Sequence, residues 1–188
     1  MISKLASMAL AATALSLGGC MTTTTAADPA VSYVGGAAMY PSKTIVENAV
    51  NSPDHTTLVA AVKAAGLVET LSGAGPFTVF APTNSAFAKL PPGTVDTLLR
   101  PENKTTLQSV LTYHVVPGRV TAADLAAQIT AGGGQAQLTT VQGATLTARM
   151  MGDTIMLVDG KGSMSHVTQG DVLQSNGVIH VVDNVLMS

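Results

Sequence analysis

The sequence predicts an α+β domain, on three observations. Apolar residues recur at helical spacing through the first half of the chain beyond residue 50. Strand alternation and turn pairs dominate the second half. The two patterns are segregated, whereas a wound parallel sheet would interleave them.

The elements follow in order. Ser52-Pro53 offers an N-cap with proline at the first helical position, and Asp54 competes as a cap. Leu58, Val62 and Ala65 then form a helical stripe, which Gly66 stops. Gly73-Ala74-Gly75-Pro76 is a loop, and Phe77-Thr78-Val79-Phe80 is a strand too apolar to face water. Thr83 caps a short helix burying Phe87 and Leu90. Pro101 opens a longer helix in which Leu107, Val110, Leu111 and His114 fall on one stripe, ended by Pro117-Gly118. Residues 121–129 add another helix. Leu146, Ala148 and Met150 alternate with Thr145, Thr147 and Arg149, and Gly152-Asp153 turns this strand into residues 154–158. Asn176-Gly177 reads as a type I′ turn with φ > 0, leading into Val178-Ile179-His180-Val181-Val182.

Ahead of the domain lies an export signal. Lys4 gives a short positive region, residues 5–17 are apolar or small, and Leu17-Gly18-Gly19-Cys20 follows. The apolar run is shorter than the ~20 residues that span a bilayer. The single cysteine sits where a bacterial lipobox places it, so the pattern resembles a lipoprotein signal cleaved before Cys20, whose thiol is then acylated. Met21, rather than Asp, follows the cysteine, which by the same resemblance favours export to the outer membrane. Residues 1–19 are thus expected to be signal, 20–42 a flexible tether rich in threonine and containing Gly35-Gly36, and 43–188 the folded domain.

Composition narrows the function. Of 188 residues 46% are apolar, and Lys+Arg 9 against Asp+Glu 11 gives a net charge of −2, which lacks the basic stripe of a nucleic-acid binder. Aromatic residues are 3% and tryptophan is absent, so stacking platforms are scarce. No nucleophile elbow, P-loop or H-E-x-x-H motif occurs. Asp153 and Asp159 lack calcium-loop spacing and read as solvated hairpin residues. His55, His114, His166 and His180 are never three to five residues apart, so neither metal, cofactor nor catalytic centre is expected.

Three segments carry more information. Residues 75–87, Gly-Pro-Phe-Thr-Val-Phe-Ala-Pro-Thr-Asn-Ser-Ala-Phe, include Thr83 and Asn84. Residues 111–118, Leu-Thr-Tyr-His-Val-Val-Pro-Gly, include Tyr113 and His114. Residues 175–186, Ser-Asn-Gly-Val-Ile-His-Val-Val-Asp-Asn-Val-Leu, include Asn176, Gly177 and His180. In order and spacing they resemble the signatures of the fasciclin domain family. Asn84 departs from the aspartate often found there, and Ser188 from a frequent terminal proline. The resemblance implies a wedge-shaped β-sandwich with several short helices packed on one side, and an extracellular or surface-anchored protein of adhesion rather than of a defined reaction. It also implies two readings of Tyr113-His114: a contact segment, as in animal relatives, or a core pair. The stripe shared with Leu107 and Leu111 points His114 inward, and the resemblance implies the helix start around Asn84 as its partner region; His180, sharing a strand face with Val178 and Val182, also points inward. The expected function is a non-enzymatic, lipid-anchored module in the outer membrane, at the cell surface or in the periplasm, meeting a protein or matrix partner. The alternative is a structural or stress-related envelope protein without a dedicated ligand.

Overall fold

The structure, a computed structural model, describes residues 31–187; the expected signal, Cys20 and residues 21–30 of the expected tether lie outside the described residues. A hairpin of β1 (Ser32–Val34) and β2 (Ala37–Met39) comes first. Helices α1 (Ile45–Asn51), α2 (Thr56–Ala65) and α3 (Val68–Ser72) follow, with a 3-10 turn at Pro53–His55 between the first two. Strand β3 (Phe77–Pro82) leads to α4 (Asn84–Ala88), α5 (Thr94–Leu98) and α6 (Lys104–Tyr113). The chain closes with β4 (Val115–Pro117), α7 (Ala122–Ala131), β5 (Gln135–Thr139), β6 (Thr145–Met151), β7 (Thr154–Val158), β8 (Met164–Gln174) and β9 (Gly177–Val182).

The helix starts are written locally. Thr44 and Glu47 form a reciprocal capping box on α1, and Thr121 and Asp124 form another on α7, each satisfying amides that a helix start leaves free. The expected cap of α4 is present: Thr83 Oγ1 accepts from Ala86 N–H at 3.3 Å. Pro101 opens a 3-10 turn, and the helix proper begins at Lys104.

Seven strands form one mixed sheet in the order β4-β3-β9-β8-β7-β6-β5. Only β3 and β9 pair in parallel; the other neighbours are antiparallel. The sheet curls until its two edges approach, where Val141 N–H donates to the Val115 carbonyl at 2.7 Å. Register shifts within β8 help it bend. The curl makes β3, β4 and β9 a wall between two apolar cores. Val79, Ala81, Val115, Ile179 and Val181 face a core shared with α1, α2, α4 and α6. Phe80, Val116 and Val182 face a second core filled by Tyr113, α7 and β5–β7. Burial on both faces is why β3 and β9 read as continuous apolar runs. The result is the expected α+β architecture: a sheet nearly closed into a barrel or sandwich, with short helices.

Three expectations need correction. Residues 32–39 are not tether: Val34 and Met39, only 3% and 2% exposed, join the helix-side core. The Gly35-Gly36 pair, at φ +58° and +80°, is the two-residue turn of this hairpin, a conformation a side chain resists. At the β8–β9 turn the two loop residues are Ser175 and Asn176, neither with positive φ, and Gly177 is already the first residue of β9. Glycine is required there by close approach: a Cβ would run into the Phe77 carbonyl. Asp159 is buried rather than solvated, its carboxylate accepting from Lys161, Ser163 and Met187 N–H groups.

Candidate functional site

The residues singled out by the three motifs are gathered mainly inside the molecule. His114 follows directly on α6 and is buried. Leu186 N–H donates to its Nε2 at 3.0 Å, so Nε2 is the acceptor and the proton resides on Nδ1, which donates to the Val110 carbonyl at 2.8 Å. An imidazolium would set an N–H against the Leu186 N–H. Burial accordingly lowers the pKa of His114 to about 4, although the Val110 bond opposes the shift. The partner is therefore the C-terminal segment after β9, and not the helix start around Asn84 as expected from sequence.

His180 is arranged in the same way. Asp171 N–H approaches Nδ1 at 3.4 Å, and Nε2 donates to the Val120 carbonyl at 2.8 Å. Its ring stacks on Phe80, with centroids 5.6 Å apart. Burial lowers its pKa, against the bond to Val120. The Phe80 N–H in turn donates to the His114 carbonyl at 2.9 Å, so one strand residue touches both histidines. Tyr113 is buried beside them, and its hydroxyl links β6 to the turn after β7: it donates to the Thr145 carbonyl at 3.2 Å and accepts from Gly160 N–H at 3.1 Å.

The two motif asparagines act on the helices. Asn84 Nδ2 donates to the Pro53 carbonyl at 2.8 Å, while its Oδ1 accepts from Thr57 N–H at 3.0 Å and Thr56 Oγ1 at 3.2 Å. It thus holds the start of α2 against α4. An aspartate could accept there but not donate to Pro53, so the departure from the family residue retains an extra bond. Asn176 Oδ1 accepts from Ile45 N–H at 3.0 Å, and its Nδ2 donates to the Leu71 and Gly73 carbonyls. One turn residue therefore fixes the beginning of α1 and the end of α3.

Sequence reasoning missed two buried polar pairs. Asn48 Nδ2 donates to Gln174 Oε1 and to the Tyr40 carbonyl, joining α1 to β8. Asn48 lies three residues after buried Ile45, so a polar residue on an apolar stripe was the available signal. Ser52 Oγ lies 2.9 Å from His55 Nδ1, spanning the 3-10 turn. Both are buried, no partner meets His55 Nε2 in full hydrogen-bonding geometry, and burial lowers the ring's pKa against the opposing pull of the nearby Ala81 backbone. A serine–histidine contact of this kind offers a substrate no access. The helix-side core has a gap of about 40 Å³ among Ile45, Val62, Leu71, Leu111 and Val115. Its walls are apolar apart from Lys63 and His114, and its small size makes it a packing space. Among the described residues no group of three or more His, Cys, Asp or Glu could hold a metal ion, and no helix is long and apolar enough to cross a membrane.

These motifs and this topology meet in one comparison: the sequence model of the fasciclin domain matches residues 53–188. The chain belongs to the fasciclin domain family. It is 50% identical over 156 residues to protein sll1483 of Synechocystis sp., covering 82% of this chain and 78% of that protein. It is 39% identical over 144 residues to immunogenic protein MPB70 of Mycobacterium bovis, covering 74% and 66% respectively. With the cell surface glycolipoprotein MPB83 of the same organism it shares 34% identity over 187 residues, covering 89% and 77%. A solved FAS1 domain pair from the insect cell adhesion molecule fasciclin I has the same fold, with a TM-score of 0.69 at 20% identity. The match covers 78% of this chain and 51% of that one. The fasciclin signatures are thus placed: they supply the wall strands and the hydrogen bonds that fasten helices and chain end to it.

Proposed function

We propose that this fasciclin domain is an exported, lipid-anchored module that works by binding, without catalysis, and mediates contact at the cell surface or with an extracellular matrix. Its anchor is an acylated Cys20 and its site the outer membrane. The observation that carries the reading is the match to MPB83, a cell surface glycolipoprotein. That match covers 89% of this chain, so it extends upstream of Pro53, where the family match begins. The chain's only cysteine lies upstream of Pro53, after Leu17-Gly18-Gly19. The insect relative's description as a cell adhesion molecule supports the binding role. The interior placement of the motif histidines, each bonded to a backbone carbonyl, supports the non-catalytic part of the reading.

Stable anchoring needs more than one acyl chain, because a single chain binds a bilayer only marginally. Cys20→Ser is expected to abolish labelling by a fatty-acid probe and to release the protein from membranes or leave it unprocessed. Unchanged labelling and detergent partitioning would overturn the anchor. For the contact role, a deletion strain should lose surface attachment and recover it with the intact chain. Normal attachment with a weakened envelope would instead favour the structural role.

A further inference from the structure

The six aromatic residues of this chain, three Tyr and three Phe, are unevenly placed. Phe80, Phe87 and Tyr113 are buried, and Phe77 packs half-buried against the helix-side core. Tyr33 and Tyr40 alone among them are exposed, at 65% and 43%. Both belong to the β1–β2 hairpin. Its register pairs Ser32 with Met39, Tyr33 with Ala38 and Val34 with Ala37. Val34 and Met39 point into the core, so Tyr33, Ala38 and, by continuation, Tyr40 share the opposite face. The remaining large exposed apolar side chains, such as Val141, Met151 and Met164, are aliphatic and lie on other elements.

We propose that this outer hairpin face rests in the headgroup region of the phospholipid bilayer, as a second, non-covalent contact beside the lipid anchor. The inference relies on the reading of Cys20 given above. Tyrosine suits that layer, since its ring is apolar and its hydroxyl stays hydrated. Lys43 Nζ lies 5.2 Å from the centre of the Tyr40 ring, placing an ammonium where phosphates would be met. The Asp54 carboxylate against Gly35 at the hairpin turn opposes an anionic surface, which selects a zwitterionic one. Position supplies the rest of the argument. The hairpin begins about 12 residues after Cys20, so a fully extended connection reaches about 40 Å at most. Tethering at that distance raises the effective concentration of lipid enough for two tyrosines to matter, although free protein would bind weakly. The domain would then meet the membrane in a fixed orientation.

The test uses the full-length chain, processed in cells, extracted and reconstituted into phosphatidylcholine vesicles. With Cys20 acylated, Ala38→Cys provides one reactive thiol on the hairpin face, and Met164→Cys one at the exposed start of β8. Spin labels at the two sites are read by collision with oxygen, which concentrates in lipid, and with a water-soluble nickel chelate. The expected result is an oxygen-to-nickel ratio several-fold higher at 38 than at 164, lost when Tyr33→Ser and Tyr40→Ser are added to a chain that still melts cooperatively. Equal ratios at both sites on a chain that floats with vesicles would overturn the hairpin contact while leaving the anchor intact. Exclusion of both reagents at 38 would show a second copy or another protein on this face, and would also overturn it. A chain that does not float would overturn the anchor and the contact together.

Discussion

The wall strands β3 and β9 and the outer strands β6 and β7 belong to one sheet but follow different rules. In β9 every residue from Gly177 to Val182 is buried, because helices pack on one face and the barrel interior on the other. In β6 and β7, Leu146, Ala148, Ile155 and Leu157 are buried, whereas Thr145, Arg149, Met151 and Thr154 are exposed. An exposed side chain of the outer strands can change without disturbing the core. In the wall, each polar atom needs a partner and each volume is fixed by two cores. The fasciclin signatures fall on the wall and its attachments, so in this chain they record fold requirements more than a contact surface.

That contrast can be attacked at its strongest point first. Gly177→Ala would press a methyl group into the Phe77 carbonyl, and neither strand can retreat between two packed layers. The expected cost exceeds about 3 kcal/mol, enough to remove cooperative unfolding or most soluble protein. Chemical denaturation showing a near-normal midpoint would break the comparison.

Acid probes the same wall through its histidines. Burial lowers the pKa values of His55, His114 and His180, so unfolding takes up protons. Stability should be full above about pH 6.5, the unfolded value, and should fall as pH drops below it. The decline from His114 ends near its folded pKa of about 4, after a loss on the order of 3 kcal/mol. Glu47 and Asp124, held low by backbone bonds to Thr44 and Thr121, add acid sensitivity only once the pH falls into the ordinary carboxylate range and below. Denaturation midpoints measured from pH 7.5 to 4 should therefore fall steadily, and His114→Gln should flatten the curve. A midpoint independent of pH would contradict neutral, buried imidazoles.

The smallest effect belongs to the outer strands. Met151→Ser, on an exposed position at the end of β6, should change stability by less than about 0.5 kcal/mol in thermal unfolding. A loss comparable to that in the wall would mean the outer face is also covered.

The sequence made the wall legible because burial on both faces writes uninterrupted apolar runs, and the helix caps legible because Thr83 has a local partner. His114 was readable as an inward residue from its stripe with Leu107 and Leu111, but its bond to Leu186 was not. That partner lies 72 positions away and uses a backbone N–H, which any residue supplies. Asn176 looked like a turn former; its bonds to Ile45 and Leu71 cross more than 100 positions and override the local turn preference. The β1–β2 hairpin was hidden for the opposite reason. Its strands are three residues long, and Gly35-Gly36 in a threonine- and alanine-rich stretch has the composition of a linker as well as of a turn.

The most direct test of the fold-over-contact account compares stability with attachment in His114→Ala. Removing the imidazole leaves the Leu186 N–H and Val110 carbonyl unsatisfied and opens space beside Leu111, for an expected loss of about 3 kcal/mol. Thermal unfolding and cell attachment would be measured on the same protein, the latter at a temperature where the variant remains folded. The account predicts a clearly lowered midpoint with attachment retained while the domain is folded. An unchanged midpoint with attachment abolished would contradict it and make Tyr113-His114 a contact site.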